Sequence, residues 1–397
     1  MADMPSPPLY LDPNLQIVFG VSLMAVLGVS SITPAFPGVG RALDVPSQTV
    51  AHLITAFTLP GVLFTPILGI LTDRWGRKQI LIPALALFGI AGGACALARD
   101  ISVLLALRFV QGIGAAALNV LYITLIGDLY SRTRQTAAMG YNASVISVGT
   151  AVFPAIGGGL ASVAWYYPFL LPLLAIPLAL LALFVLENPE PEGQQALSTY
   201  LRQTWTSVKH GQAVVFLLLT LLTFVIIYGA YLTYLPFLME DAFQASPVVI
   251  GIVMSGTSVA TALASSQLGR LANRFSEGLL LQIACGSYAL ALVLIPRVTS
   301  PPLLAVPAVL FGLGQGLSIP NLQTSLASLA PIEHRGAFLS ANALVLRVGQ
   351  TLGPPLMAVA SSVGGMVATF HAGAAIALAM LVLAATSLRK RRTTDDH

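Results

Sequence analysis

The chain has 397 residues, 56% hydrophobic and 9% charged, with a formal net charge of +4 and a mean hydropathy of +0.85. A soluble domain carries about 25% charged residues, so the composition excludes a soluble enzyme, a disordered chain and a nucleic-acid-binding domain. The pI near 9.2 comes from short basic clusters set between apolar runs, the pattern that orients membrane proteins.

A helical span needs about 20 apolar residues. Such runs fall at 15–38, 47–71, 79–98, 101–126, 138–160 and 165–186, then at 212–238, 246–268, 278–296, 303–327, 337–360 and 364–388. The expected architecture is therefore an all-α membrane protein with twelve transmembrane helices in two six-helix bundles. Residues 1–14 form an N-terminal tail, 15–186 the first bundle, 187–211 a polar Pro/Glu-rich linker, 212–388 the second bundle and 389–397 a basic tail. The first span lacks the basic flank of a cleaved signal peptide and is read as retained. Cys95 and Cys285 lie inside apolar runs, so no disulfide framework is implied.

An even span count puts both termini on one side. The loops on that side hold Arg74, Arg77, Lys78, Arg132, Arg134, Arg202, Lys209, Arg270, Arg274, Arg335 and Arg389 to Arg392, against Arg41, Arg99 and Arg297 opposite. This bias predicts cytoplasmic termini and a plasma (inner) membrane location.

The halves repeat at an offset of 200 residues: Gly69 with Gly269, Asp73 with Asn273, Gly112 with Gly312, Gly114 with Gly314, Asn142 with Asn342, Gly149 with Gly349, and Pro154 with Pro354. Tandem bundles of this kind rock about a site at mid-membrane depth, which favours a transporter. No metal cluster, nucleophile motif or Gly-x-x-x-x-Gly-Lys is present, so neither enzyme chemistry, a cofactor nor ATP is expected.

The loop after the second span carries Gly69, Asp73, Arg74, Gly76, Arg77 and Lys78, which closely resembles motif A of the major facilitator superfamily. Arg108, Gln111, Gly112 and Gly114 look like motif B. Gly149, Pro154, Gly157 and Gly158 resemble motif C of the antiporters, although Phe153 stands where that motif usually has glycine. Ser31 to Pro37 is similar to the first helix of the twelve-span drug/proton antiporters. The Gly/Pro spacing of motif C also serves close helix packing. The resemblance implies proton-coupled efflux of drugs or amphiphilic small metabolites by alternating access, in a functional monomer whose partners are substrate, protons and the lipid bilayer. It also implies a conformational lock at Asp73 that caps the start of helix 11, with Asp128 placed to pair with Arg74 or Arg77. Solvated loop charges worth under about 1 kcal/mol each are the competing explanation.

In that family helices 1, 4, 7 and 10 line the cavity and 2, 5, 8 and 11 flank it. Substrate-binding candidates are then Arg108, Gln111, Asn119, Tyr122, Tyr228, Tyr231, Gln315, Asn321, Asn342 and Arg347. Polar side chains at this depth avoid lipid, but several also serve as bonds between helices. His52 and His371 are the proton-coupling candidates, with His52 preferred because helix 2 flanks the cavity. No acid lies inside any predicted span. Arg347 falls outside these motifs and its repeat counterpart is the neutral Ser147. Two readings stay open for it: structural bonding to helix carbonyls and Gln350, or attraction of anionic substrates. The second would make the chain a carrier of an anionic metabolite by uptake, exchange or uniport. A transporter-like sensor is disfavoured by the short tails.

Overall fold

The computed structural model describes residues 8–187, 211–329 and 335–387. Outside these lie residues 1–7, nearly all of the expected linker with Arg202 and Lys209, and the basic tail from Arg389 onward. The described chain is helical: α1 Pro13–Leu43, α2 Ser47–Trp75, α3 Arg77–Cys95, α4 Ile101–Leu129, α5 Arg132–Val163, α6 Tyr167–Val185, α7 Gly211–Phe243, α8 Pro247–Ala272, α9 Glu277–Arg297 and α10 Pro301–Leu329. The final helical stretch, Arg335–Ser387, departs from helical dihedrals at Gly364 and Gly365. Gly365 has φ 72°, a left-handed turn that glycine adopts without a Cβ clash. The turn divides the stretch into α11 (335–363) and α12 (366–387), giving six helices per half.

Local chemistry sets the helix ends. Asp12 caps α1, accepting from Asn14 N at 2.9 Å, with Pro13 in the first turn; Asp100 caps α4 through the amides of Ser102 and Val103. Pro34 and Pro37 lack the amide that a regular helix needs, and α1 passes through a tight turn at Thr33–Ala35 before resuming. Several helices outrun the expected spans, among them α1 to Leu43, α2 to Trp75, α4 to Leu129, α5 to Val163, α7 to Phe243 and α8 to Ala272. Asp128, Glu240 and Asp241 therefore sit in terminal helical turns.

The sequence repeat is also a repeat in space. Ser22 donates to Asn142 at 2.8 Å, tying α1 to α5, and Thr220 donates to Asn342 at 3.0 Å, tying α7 to α11. A Cβ on Gly112 would strike the carbonyl of Phe57, and one on Gly312 the carbonyl of Thr257, the corresponding residue. Asp44 and Gln244, 200 residues apart, both take left-handed dihedrals. Each half has its own apolar core. Phe237 of α7 packs into the first core and Ala51 of α2 into the second.

Asn142 and Asn342 are both buried, and each clasps a neighbouring helix. Replacing either with Ala is expected to lower stability in detergent by about 0.6–1.7 kcal/mol, measured by thermal unfolding. Unchanged stability together with lost substrate binding in Asn342→Ala would instead make it a cavity residue.

Candidate substrate cavity and gates

The termini-bearing end of the bundle is called here the terminal face, and the opposite end the distal face. The halves meet in the distal half. A Cβ on Gly158 of α5 would collide with the carbonyl of Pro247 on α8, and one on Gly251 with the carbonyl of Pro154. Gly157 is pressed equally tightly against the carbonyl of Ser31 in α1. Ala155 N donates to Ser255 Oγ at 3.1 Å across the same crossing. Between α2 and α11, Gln48 donates to Ser361 at 3.1 Å, Thr55 to the Thr351 carbonyl at 3.2 Å, and Thr351 to Thr58 at 3.0 Å. Between α1 and α7, Arg41 pairs with Glu240 and the rings of Phe36 and Phe237 lie 6.5 Å apart.

The α2–α11 series ends at mid-depth, where a Cβ on Gly61 would stand 3.3 Å from Arg347 Cδ. Toward the terminal face the pattern stops. A Cβ on Gly69, Gly140 or Gly269 would meet nothing within 4 Å. Among the described residues, no hydrogen bond or ion pair joins the halves there. This conformation is closed distally and open toward the terminal face.

The charges of the α2–α3 loop are tied within the first half. Arg77 Nη1 bonds Asp73 Oδ1 at 2.8 Å and the Thr72 carbonyl at 2.8 Å, while its Nε bonds Asp128 Oδ2 at 2.7 Å. Of the two arginines expected for Asp128, Arg77 takes it and Arg74 is exposed. Gly76, at φ 93°, makes the turn. Among the described residues, none of these groups bonds to the second half. Nearby, Tyr130 donates to Asp12 at 2.9 Å, fastening the end of α4 to the start of α1. Burial and the Asp12 carboxylate push this phenol well above its usual range, so it remains a donor.

The two intramembrane arginines differ. Arg108 is fully buried; it donates to the Gly28 carbonyl at 2.8 Å, Gln111 Oε1 at 2.7 Å and the Leu53 carbonyl at 3.5 Å, with Phe57's ring 4.1 Å from its guanidinium carbon. Arg108 and Gln111 are thus sealed inside the first half. Arg347 is only partly buried and makes one side-chain bond, Nη1 to Gln350 Oε1 at 3.0 Å. None of its other nitrogens is both fully buried and unpartnered, so they keep some access to solvent. Tyr122 of α4 and Tyr228 of α7, both half-buried, lie within electrostatic reach of it.

The remaining candidates separate. Asn119 is half-buried and bonds the Ala115 carbonyl of its own helix. Tyr231 is buried, stacked on Phe311 at 4.1 Å and bonded to Thr257. Gln315 accepts from Thr261 at 3.1 Å, and Asn321 donates to the Glu277 carbonyl at 3.1 Å. His52 and His371 are exposed. Gly149 packs against Leu23 of α1. The sequence reading missed Gly61, the α2–α11 threonines and the Arg41–Glu240 pair. Two signals pointed to them: Thr55 and Thr58 share a helix face, and Arg41's repeat counterpart is Asp241, next to Glu240.

The sequence profile of the Major Facilitator Superfamily matches residues 18–244 and 238–397. The chain is 27% identical over 371 residues to the multi-drug resistance efflux pump PmrA of Streptococcus pneumoniae, covering 90% of this chain and 92% of that protein. It is 25% identical over 342 residues to multidrug resistance protein 2 of Bacillus subtilis, covering 84% and 85%. A crystal structure of the nucleoside transporter NupG superposes with a TM-score of 0.77 at 14% identity, covering 94% of this chain and 98% of that one.

The two gates are expected to respond oppositely to loss of their charges. Glu240→Gln removes a partly exposed ion pair that closes the distal face, and labelling of Ser47→Cys by an impermeant maleimide should rise by up to roughly fivefold. Asp73→Asn, inserted normally, should instead raise labelling of Ile67→Cys near the terminal face and slow transport if, as the family resemblance implies, Asp73 caps the start of helix 11 in the distally open state. Unchanged labelling with normal flux would return Asp73 to a solvated loop charge.

Proposed function

The chain belongs to the major facilitator superfamily, and from that premise we propose that it is a proton-coupled exporter of amphiphilic small molecules working by alternating access. It is an integral membrane transporter, not an enzyme. The observation that carries the proposal is the confinement of inter-half bonds to the distal half: two units that share only that contact zone can pivot about it and open the other end in turn. Export is supported by relatives along most of the chain that are named for drug resistance. The basic bias of the terminal-face loops supports cytoplasmic termini in the plasma membrane. The state described then opens to the cytoplasm, where an exporter collects its cargo. The domain limits fit this reading, each bundle moving as one body within a functional monomer, and motif C at the α5–α8 crossing serves as the pivot.

Proton coupling needs a group whose charge changes with conformation. His52 and His371 are exposed and make no bond between the halves among the described residues. Glu240 is the acid set in a contact between the halves, paired with Arg41. Protonation from the distal side, where this pair meets solvent, would release Arg41 and favour the distally open state, making Glu240 a pH-sensitive gate.

Purified protein in liposomes should move hydrophobic dyes faster when a pH gradient is imposed. The gradient's effect should vanish in Glu240→Gln and persist in His52→Asn and His371→Asn. Dye flux indifferent to the gradient in the unmodified protein would overturn proton coupling; loss of the gradient effect in a histidine variant alone would move the proton to that side chain.

A further inference from the structure

Arg347 occupies an unusual position in this fold. It sits where the α2–α11 contacts end, with its stem against Gly61 of the first half, so its guanidinium stands at the inner limit of the space that opens to the terminal face. Only Gln350 engages it, and its remaining donors are accessible. The carbonyl cage that satisfies Arg108 has no counterpart here.

A guanidinium in that place is tolerable while the space is wet. Alternating access requires an intermediate in which both gates close and water is expelled. The charge must then find an acceptor, because an unpaired ion in a dry interior is strongly disfavoured. Among the described residues the acids lie in terminal turns or outside the helices, and none bonds Arg347. We infer that the missing acceptor is carried by the substrate: Arg347 is an anion subsite, and the transported compounds include amphiphiles bearing a carboxylate. The planar fork of arginine matches a carboxylate with two parallel bonds. Tyr122 and Tyr228, one from each half, lie within electrostatic reach of Arg347, and aromatic side chains there suit the apolar part of such a ligand. This deepens the exporter reading and rests on it, adding a preference for anions that a purely cationic drug profile would lack.

The test uses three compounds with one ring system and three charges: 2-naphthoate, 2-naphthamide and 2-naphthylmethylammonium. By calorimetry on the full-length protein in detergent, naphthoate should bind at least tenfold tighter than naphthamide. Arg347→Gln should weaken naphthoate at least tenfold while leaving naphthamide within about twofold, and Arg347→Lys should recover part of the loss. Wild-type protein gives a readout independent of any variant's folding. Phenylglyoxal should modify Arg347 but not the sealed Arg108, and naphthoate should protect Arg347 where naphthamide does not. Equal affinities for the three compounds, equal losses for all of them in Arg347→Gln, an unreactive Arg347, or equal protection by the amide would overturn the anion subsite. Dye flux under a pH gradient judges the exporter reading separately, so either can fail alone.

Discussion

Backbone meets backbone where α5 crosses α8, and the rest of the structure depends on that contact. Gly158 and Gly251 present no side chain, so each helix rests against a carbonyl of the other. In lipid there is little hydrophobic drive between helices, and close packing of small residues supplies the attraction instead. The contact is tight and has few atoms to disengage, which suits a joint that must hold the halves together while letting them tilt. The hydroxyl bonds from α2 to α11 lie in the same half of the bundle, so the two sets form one contact zone between the halves. A glycine-to-bulky change here would push the backbones of α5 and α8 apart.

Charge is distributed around that crossing in separate sets. At the distal face Arg41 and Glu240 face each other across the halves. Near the terminal face Asp73, Arg77 and Asp128 satisfy one another within the first half and leave the second half free. The second half carries Asn273 where the first has Asp73, so its copy of the loop lacks that acid. At mid-depth the two cations have opposite fates. Arg108 is neutralised by carbonyl dipoles, Gln111 and an aromatic face, and it stiffens the first bundle. Arg347 keeps donors open at the boundary between the bundles, where a ligand would sit.

Much of this was legible in the residues. Apolar run lengths gave the spans, and the constant offset of 200 gave the two halves, because repeats pack by the same contacts. Span ends were less legible: the run after position 238 turns amphipathic in Leu238–Phe243, so hydropathy stops before the helix does and Glu240 was left outside. The Gly364–Gly365 turn lies just beyond the expected break because glycine-rich sequence marks a turn without fixing its residue. The widened, π-helical Ile226–Tyr234 segment of α7 left no periodic signal. The polar candidates show a different limit. A polar residue within a span must avoid lipid, but sequence does not say whether it turns toward a cavity or a neighbouring helix. Asn342, Asn321 and Tyr231 turned toward neighbours, whereas Tyr122, Tyr228 and Arg347 came together at the boundary between the halves.

The central claim is that the two bundles tilt as bodies about the distal crossing, opening one face as the other closes. Double electron–electron resonance reads this directly from two pairs of spin labels, one at Ser144 and Ser266 on the terminal halves of α5 and α8, the other at Val163 and Gln244 near the distal face. Across pH and ligand conditions the account predicts two distance populations in each pair, with the terminal pair shortening in the same proportion of molecules in which the distal pair lengthens. A single unchanging distance in both pairs, or distances that lengthen and shorten together, would contradict it.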